Sequence, residues 1–128
     1  MRLLIAGGGT GGHIYPALAV ARSLRARPGP AEGSDAASRE LAWLGGHRGL
    51  ERAIVPPAGI PLTRLLLRSL RSAARDIHLV LDPIRLLLSI PQALLLLLAR
   101  RPAAILTTGG YVAIPTLLAA AVLRIPSV

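Results

Sequence analysis

The sequence predicts an α/β fold, a parallel sheet with helices on both faces. Three observations carry that prediction. Short apolar runs alternate with helix-forming stretches along the chain. The first run leads straight into a glycine-rich loop and then a helical pattern. Hydrophobic residues make up 52% of the 128 and charged residues 16%, which excludes disorder and suits one modest domain.

Leu3 to Ala6 is a short apolar run ended by glycines, the pattern of a buried strand. Gly7, Gly8, Gly9, Thr10, Gly11 and Gly12 follow, then His13. Pro16 reads as a first-turn proline, where no N–H is needed, and Ala17 to Arg27 as a helix with Leu18, Ala21 and Leu24 on one side. Pro28 to Ser38 is polar and turn-rich, a surface loop. Leu41 to Leu44 is the second strand, closed by Gly45-Gly46, and Gly49 to Val55 a short helix stopped by Pro56-Pro57. Leu62 to Leu67 is the third strand, although Arg64, Arg68, Arg71 and Arg75 also fall at helical spacing.

Ile77 to Arg101 is helical by composition, with breaks expected at Pro83 and Pro91. Ala103 to Thr107 is the fourth strand, Gly109-Gly110-Tyr111 a loop, and Ile114 to Leu123 a helix. Ser127-Val128 reads as the start of a fifth strand, so the sheet is expected to be incomplete and the chain truncated. No internal repeat is present.

The formal charge is +9, with every base an arginine. Such an excess suits nucleic acid, an anionic membrane or phosphorylated substrates. Aromatic residues are only 2% (Trp43, Tyr15 and Tyr111), which leaves little for bases to stack on and argues against nucleic acid. The absence of cysteine excludes disulfides, thiolate catalysis and cysteine zinc sites, and is compatible with a reducing cytoplasm. Leu3 to Ala6 is too short for the apolar core of a secretory signal. The leucine-rich stretch from Ile77 to Ala99 contains Asp82, Pro83, Arg85 and Pro91, and is expected not to span a membrane.

Gly7-x-Gly9-x-x-Gly12 between a strand and a helix lets the backbone approach a ligand closely, and free N–H groups at the helix start attract phosphate. A nicotinamide site would need an acid at the end of the second strand, but Glu40 and Glu51 fall before and after that place. There is no lysine for a P-loop. His13 adjoins this cradle at the carboxyl end of the first strand, where ligands of open α/β sheets gather. A neutral imidazole beside a sugar hydroxyl is a competent general base, so His13 is the catalytic candidate over a packing role. His47 and His78 lack this setting.

GGGTGGHIYPALAVA (Gly7 to Ala21) resembles the opening signature of the bacterial MurG-type peptidoglycan glycosyltransferases, family 28, which add N-acetylglucosamine to lipid I. WLGGHRGLERAIVPPAGIPL (Trp43 to Leu62) is similar to that family's second-strand segment, TTGGYVAIPTLLAA (Thr107 to Ala120) to its second glycine loop, and RIPSV (Arg124 to Val128) to the approach to its fifth strand. The resemblance covers essentially the whole chain. It implies the Rossmann-like amino-terminal, acceptor-binding half of a GT-B enzyme over residues 1–128, with the donor-binding domain absent. The implied reaction moves the sugar from UDP-N-acetylglucosamine to the 4-hydroxyl of undecaprenyl-diphospho-muramyl-pentapeptide, with inversion, with no cofactor and no metal. By position, Gly9, Thr10, Gly11 and Gly12 would lie against diphosphate, His13 would be the base, and Gly109, Gly110 and Tyr111 would face them across the acceptor cleft. After Tyr111 the chain reads Val-Ala-Ile-Pro-Thr, where the family more often has serine and glycine, and the loop from Pro28 to Arg39 is longer than the family's.

Arg64, Arg68, Arg71, Arg75 and Arg85, with Leu79 and neighbouring leucines, mix charge with apolar area and form a candidate membrane patch. Peripheral attachment to the cytoplasmic face of the bacterial inner membrane follows as the expected location. The competing reading is a non-catalytic, membrane-recruiting or acceptor-binding subunit that pairs with a separate donor chain. An arginine-rich nucleic-acid binder ranks last, because the arginines are interleaved with leucines rather than aromatics.

Overall fold

The computed structural model describes residues 2–27, 40–47, 49–66 and 78–128, with side chains from 83 onward in the last stretch. Strand β1 (Arg2–Gly7) leads into helix α1 (Gly11–Ala26), and β2 (Glu40–Gly45) into the short helix α2 (Glu51–Ile54) and a 3₁₀ turn at Pro56–Ala58. Then come β3 (Leu62–Arg64), α3 (His78–Arg100), β4 (Ala104–Gly109) and α4 (Ala113–Leu123). The four strands are parallel in the order β3-β2-β1-β4. At the far side of β4, Ser127 forms a parallel bridge with Ile105, and Thr107 donates its N–H to Val128 O at 2.7 Å. The expected fifth strand therefore begins where the sequence placed it.

Alternation along the strands divides the core into two layers. Leu4, Ala6, Leu44 and Ile105 face Ala93 and Leu97 of α3 and Ala119 and Ala120 of α4. Ile5, Leu41 and Trp43 face Ile14, Ala17, Leu18 and Ala21 of α1, together with Val55 and Ile60. Burying each large aliphatic side chain contributes about 1.5–3 kcal/mol, so both layers hold the sheet between them. Trp43 is wholly buried and donates its indole N–H to Gly7 O at 2.8 Å, which fixes the end of β1.

Two local expectations give way to packing. Helix α1 starts at Gly11, so Pro16 lies in its second turn rather than its first. Burial of Ile14 against Trp43 and Ile5 draws the helix start forward over two glycines that favour coil. Helix α3 runs unbroken through Pro83 and Pro91. An internal proline costs about 3 kcal/mol and strips a partner from the carbonyl four residues earlier. For Pro91 that residue is Leu87, which is exposed and leaves its carbonyl within reach of water, while Ala93 and Leu97 anchor the following turns in the core. The third strand ends at Arg64, shorter than the run to Leu67 suggests, and residue 67 lies outside the described residues.

Candidate functional site

Parallel pairing of β1 with β4 puts both glycine loops at one edge of the sheet. They meet there directly. Gly110 has φ +87°, and a Cβ on it would lie 2.5 Å from Gly8 O, so only glycine fits where the two backbones touch. The glycines at 109 and 110 thus serve the turn and the close approach together.

His13 sits half-buried in the first turn of α1. Its Nδ1 lies 2.7 Å from Thr108 O, and the Thr108 hydroxyl donates to His13 O at 2.6 Å. A carbonyl can only accept, so Nδ1 carries the proton and the Nε2 lone pair is left as the basic site. Among the described residues no protein group bonds Nε2. The ring also lies against Gly109, where a Cβ would come within 3.2 Å of Cε1 and Nδ1.

Thr10 caps α1 in extended geometry, and its hydroxyl makes no capping bond. His13 and Ile14 both donate to Thr10 O, at 3.1 and 3.3 Å, so the N–H groups of Gly11 and Gly12 precede the first bonded helical donor. With the partial positive charge of a 16-residue helix behind them, these groups suit an anion. Gly11 and Gly12 lie in the helix rather than in the loop the sequence suggested. Gly9 differs, because its N–H donates to Glu51 Oε2 at 3.0 Å and so faces the protein. Gly9 still supplies a turn at φ +94°. Tyr111 is half-buried at the start of the turn into α4.

The sequence reading gave no site role to Glu51, Thr108 or Trp43. Glu51 is 1% exposed, with one carboxylate oxygen on each of two glycine loops. Among the described residues no three of His, Cys, Asp and Glu converge to hold a metal ion. A cavity of about 560 Å³ opens at the opposite, amino-terminal edge of the sheet beside Arg2, Glu40 and Arg100. It contains neither glycine loop nor His13, so it is not the candidate site.

The model of the glycosyltransferase family 28 N-terminal domain matches residues 3–128. The chain belongs to glycosyltransferase family 28. Among the family's curated members, the UDP-N-acetylglucosamine--N-acetylmuramyl-(pentapeptide) pyrophosphoryl-undecaprenol N-acetylglucosamine transferase of Nitrosococcus oceani is 42% identical over 126 residues. The enzyme of the same name from Alkalilimnicola ehrlichii is 44% identical over 126. In both cases the match takes in 98% of this chain and 32% of the relative, so the chain spans about a third of their length. The crystal structure of Acinetobacter baumannii MurG superposes with a TM-score of 0.75 at 28% identity, over 98% of this chain and 34% of that one. The fold is the Rossmann-like amino-terminal half of the GT-B architecture, as the sequence predicted.

Within that family frame, the membrane patch is only partly visible. Arg64 is exposed at the end of β3, and Arg85 is half-buried on α3. Arg68, Arg71, Arg75 and the Leu79 side chain lie outside the described residues. Exposed apolar area is instead found further along α3, at Ile84, Leu87, Leu88, Leu95 and Leu98, and on α4 at Ile114, Leu118 and Val122. The segment Pro83–Arg100 is long and apolar enough to cross a membrane by length and composition alone, but Ala93 and Leu97 tie it to the core.

Proposed function

We propose that this chain is the acceptor-binding half of an inverting transferase that moves N-acetylglucosamine from UDP-N-acetylglucosamine to lipid I in peptidoglycan synthesis. Family membership and the named activities of the relatives support the reaction class. The observation that carries the assignment of the base is the His13 Nδ1 bond to Thr108 O, which leaves Nε2 basic between the two glycine loops. In the proposed step His13 Nε2 takes the proton of the muramyl 4-hydroxyl. The oxygen bonds to C1 of the donor sugar from the face opposite UDP, the C1–O bond breaks, and UDP departs with the electron pair. Thr10, Gly11 and Gly12 hold the acceptor diphosphate through N–H groups and the Thr10 hydroxyl, and Gly109, Gly110 and Tyr111 form the facing wall. The uridine is held by residues of a second domain.

The apolar faces of α3 and α4, with Arg64 and Arg85 nearby in the sequence, seat the cleft beside the undecaprenyl-linked acceptor on the cytoplasmic face of the inner membrane. The test of the base is His13→Ala in a two-domain enzyme carrying these residues as its amino-terminal half. Folding should be normal and turnover roughly two to four decades lower, with no recovery in the Asn or Gln variants. A nearly full rate in the alanine variant removes His13 from the mechanism.

A further inference from the structure

Glu51 is the one carboxylate among the described side chains that is buried, and the chemistry above does not use it. Its Oε2 accepts from Gly9 N–H at 3.0 Å and its Oε1 from Gly46 N–H at 2.8 Å. The first donor lies in the loop after β1 and the second in the loop after β2, at the same edge of the sheet. Three further glycines close around the group. A Cβ on Gly8 would lie 2.6 Å from Oε1, one on Gly45 would lie 2.7 Å from Cγ, and one on Gly49 would overlap Oε2 outright. The carboxylate thus fills a socket whose walls are bare backbone. It is turned inward and has no free edge for a ribose, although Gly46 stands at the end of the second strand, where a dinucleotide fold places its acid.

A negative group that accepts only, facing two N–H donors, makes charge-assisted bonds in both directions. Two consequences follow for the cradle. Gly9 N–H is drawn inward, which leaves the cradle to the donors from Thr10 to Gly12. The path of Gly8-Gly9 is fixed from one side by Glu51 and from the other by Gly110, where a Cβ would lie 2.5 Å from Gly8 O. We propose that Glu51 is a positioning residue that clamps the first glycine loop to the second-strand loop and thereby sets the geometry of the diphosphate cradle. The functional half of this inference rests on the reading of that loop as an acceptor-diphosphate site.

The test combines amide exchange with binding of inorganic diphosphate by the whole chain. In the wild-type protein, with no substitution needed, the Gly9 and Gly46 amides should exchange slowly and open together, since one carboxylate holds both. Exchange of either at the rate of an exposed glycine overturns the clamp. Glu51→Gln keeps the shape but offers one acceptor oxygen and one NH₂, so one of the two amides must lose its partner. Its Kd for diphosphate should weaken about tenfold per folded molecule. Leu97→Ala, which loosens the opposite core layer, provides a destabilised comparison whose Kd should stay at the wild-type value. An unchanged Kd in folded Glu51→Gln overturns the positioning role. Protected amides in a wild-type chain indifferent to diphosphate overturn the cradle reading, and leave Glu51 as a structural tie alone.

Discussion

His13 and Thr108 are joined by two hydrogen bonds that run in opposite senses. The imidazole Nδ1 donates to Thr108 O at 2.7 Å, and the Thr108 hydroxyl donates to His13 O at 2.6 Å. The residues are 95 positions apart in the chain, so this pair joins the first helix to the end of β4 across the mouth of the sheet. The first bond sets the tautomer and the second holds the backbone from which the ring projects.

The Thr108 hydroxyl can be removed without touching the Thr108 carbonyl. Thr108→Val is nearly isosteric, and should cost about 1 kcal/mol for the lost bond, roughly 4 °C in Tm. Because Nδ1 keeps its acceptor, kcat should fall far less than in His13→Ala. A loss of turnover equal to that of the His13 variant would mean that the hydroxyl itself takes part in the reaction. Thermal melting and steady-state rates of the two-domain enzyme separate these outcomes.

Two glycines at the site should respond in opposite ways. Gly110→Ala must accommodate both φ +87° and a Cβ 2.5 Å from Gly8 O, so it should lose at least about 2 kcal/mol of stability, with activity falling alongside. Gly12 is exposed in the first turn of α1, and a Cβ there meets nothing nearer than Thr10 Oγ1 at 3.8 Å. Gly12→Ala should therefore raise stability by about 0.5–1 kcal/mol while raising KM for the lipid acceptor, if ligand approaches this backbone. A stabilised variant with unaltered acceptor KM would show that the bare backbone at Gly12 serves no ligand.

How much of this was legible from the chain follows from the range of each interaction. The run Leu3 to Ala6, the glycines after it and the helix formers from Ala17 are local signals, and they yielded β1, its loop and α1. His13 was legible because its place beside the loop is also local. Glu51 was not, since its partners at Gly9 and Gly46 become neighbours only when β2 is laid parallel to β1. The spacing from Gly46 to Glu51 offered a hint, as an acid five residues past the first loop residue can turn back to the strand end. Thr108 acts on the imidazole through its backbone carbonyl, for which no residue type gives a signal. The prolines of α3 misled for the converse reason, because a sound local rule was outweighed by packing at Ala93 and Leu97.

Vesicle flotation tests the membrane face. Binding should increase with anionic lipid and fall with salt, with each arginine near the surface contributing about 1 kcal/mol, or roughly fivefold. Leu87 and Leu95 are 71% and 67% exposed, so replacing both with glutamate should leave stability within about 0.5 kcal/mol of wild type and still reduce flotation sharply. Retained flotation in that double variant would move the contact away from α3, and indifference to lipid charge and salt would refute peripheral attachment.

The last prediction is that residues 1–128 alone catalyse no sugar transfer. Inverting transfer needs an acceptor hydroxyl, a base and a donor anomeric carbon held together, and that positioning accounts for several kcal/mol of the barrier (about 7–11 at its best). On the proposed reading, this chain offers a base at His13 and an anion cradle at Thr10 to Gly12. It matches only 32% of the length of its curated relatives, and its family model is that of the N-terminal domain. Arg2, Glu40 and Arg100 line the cavity at the amino-terminal edge, on the wrong side of the sheet to bring a nucleotide sugar to His13. Incubating the purified chain with UDP-N-acetylglucosamine and a lipid I analogue should therefore give no disaccharide. Adding the donor domain of a relative as a separate chain asks whether the halves reassemble, and product should appear only in that mixture and only with His13 intact. Turnover by the chain alone would mean that the donor site has been assigned to the wrong half of the enzyme.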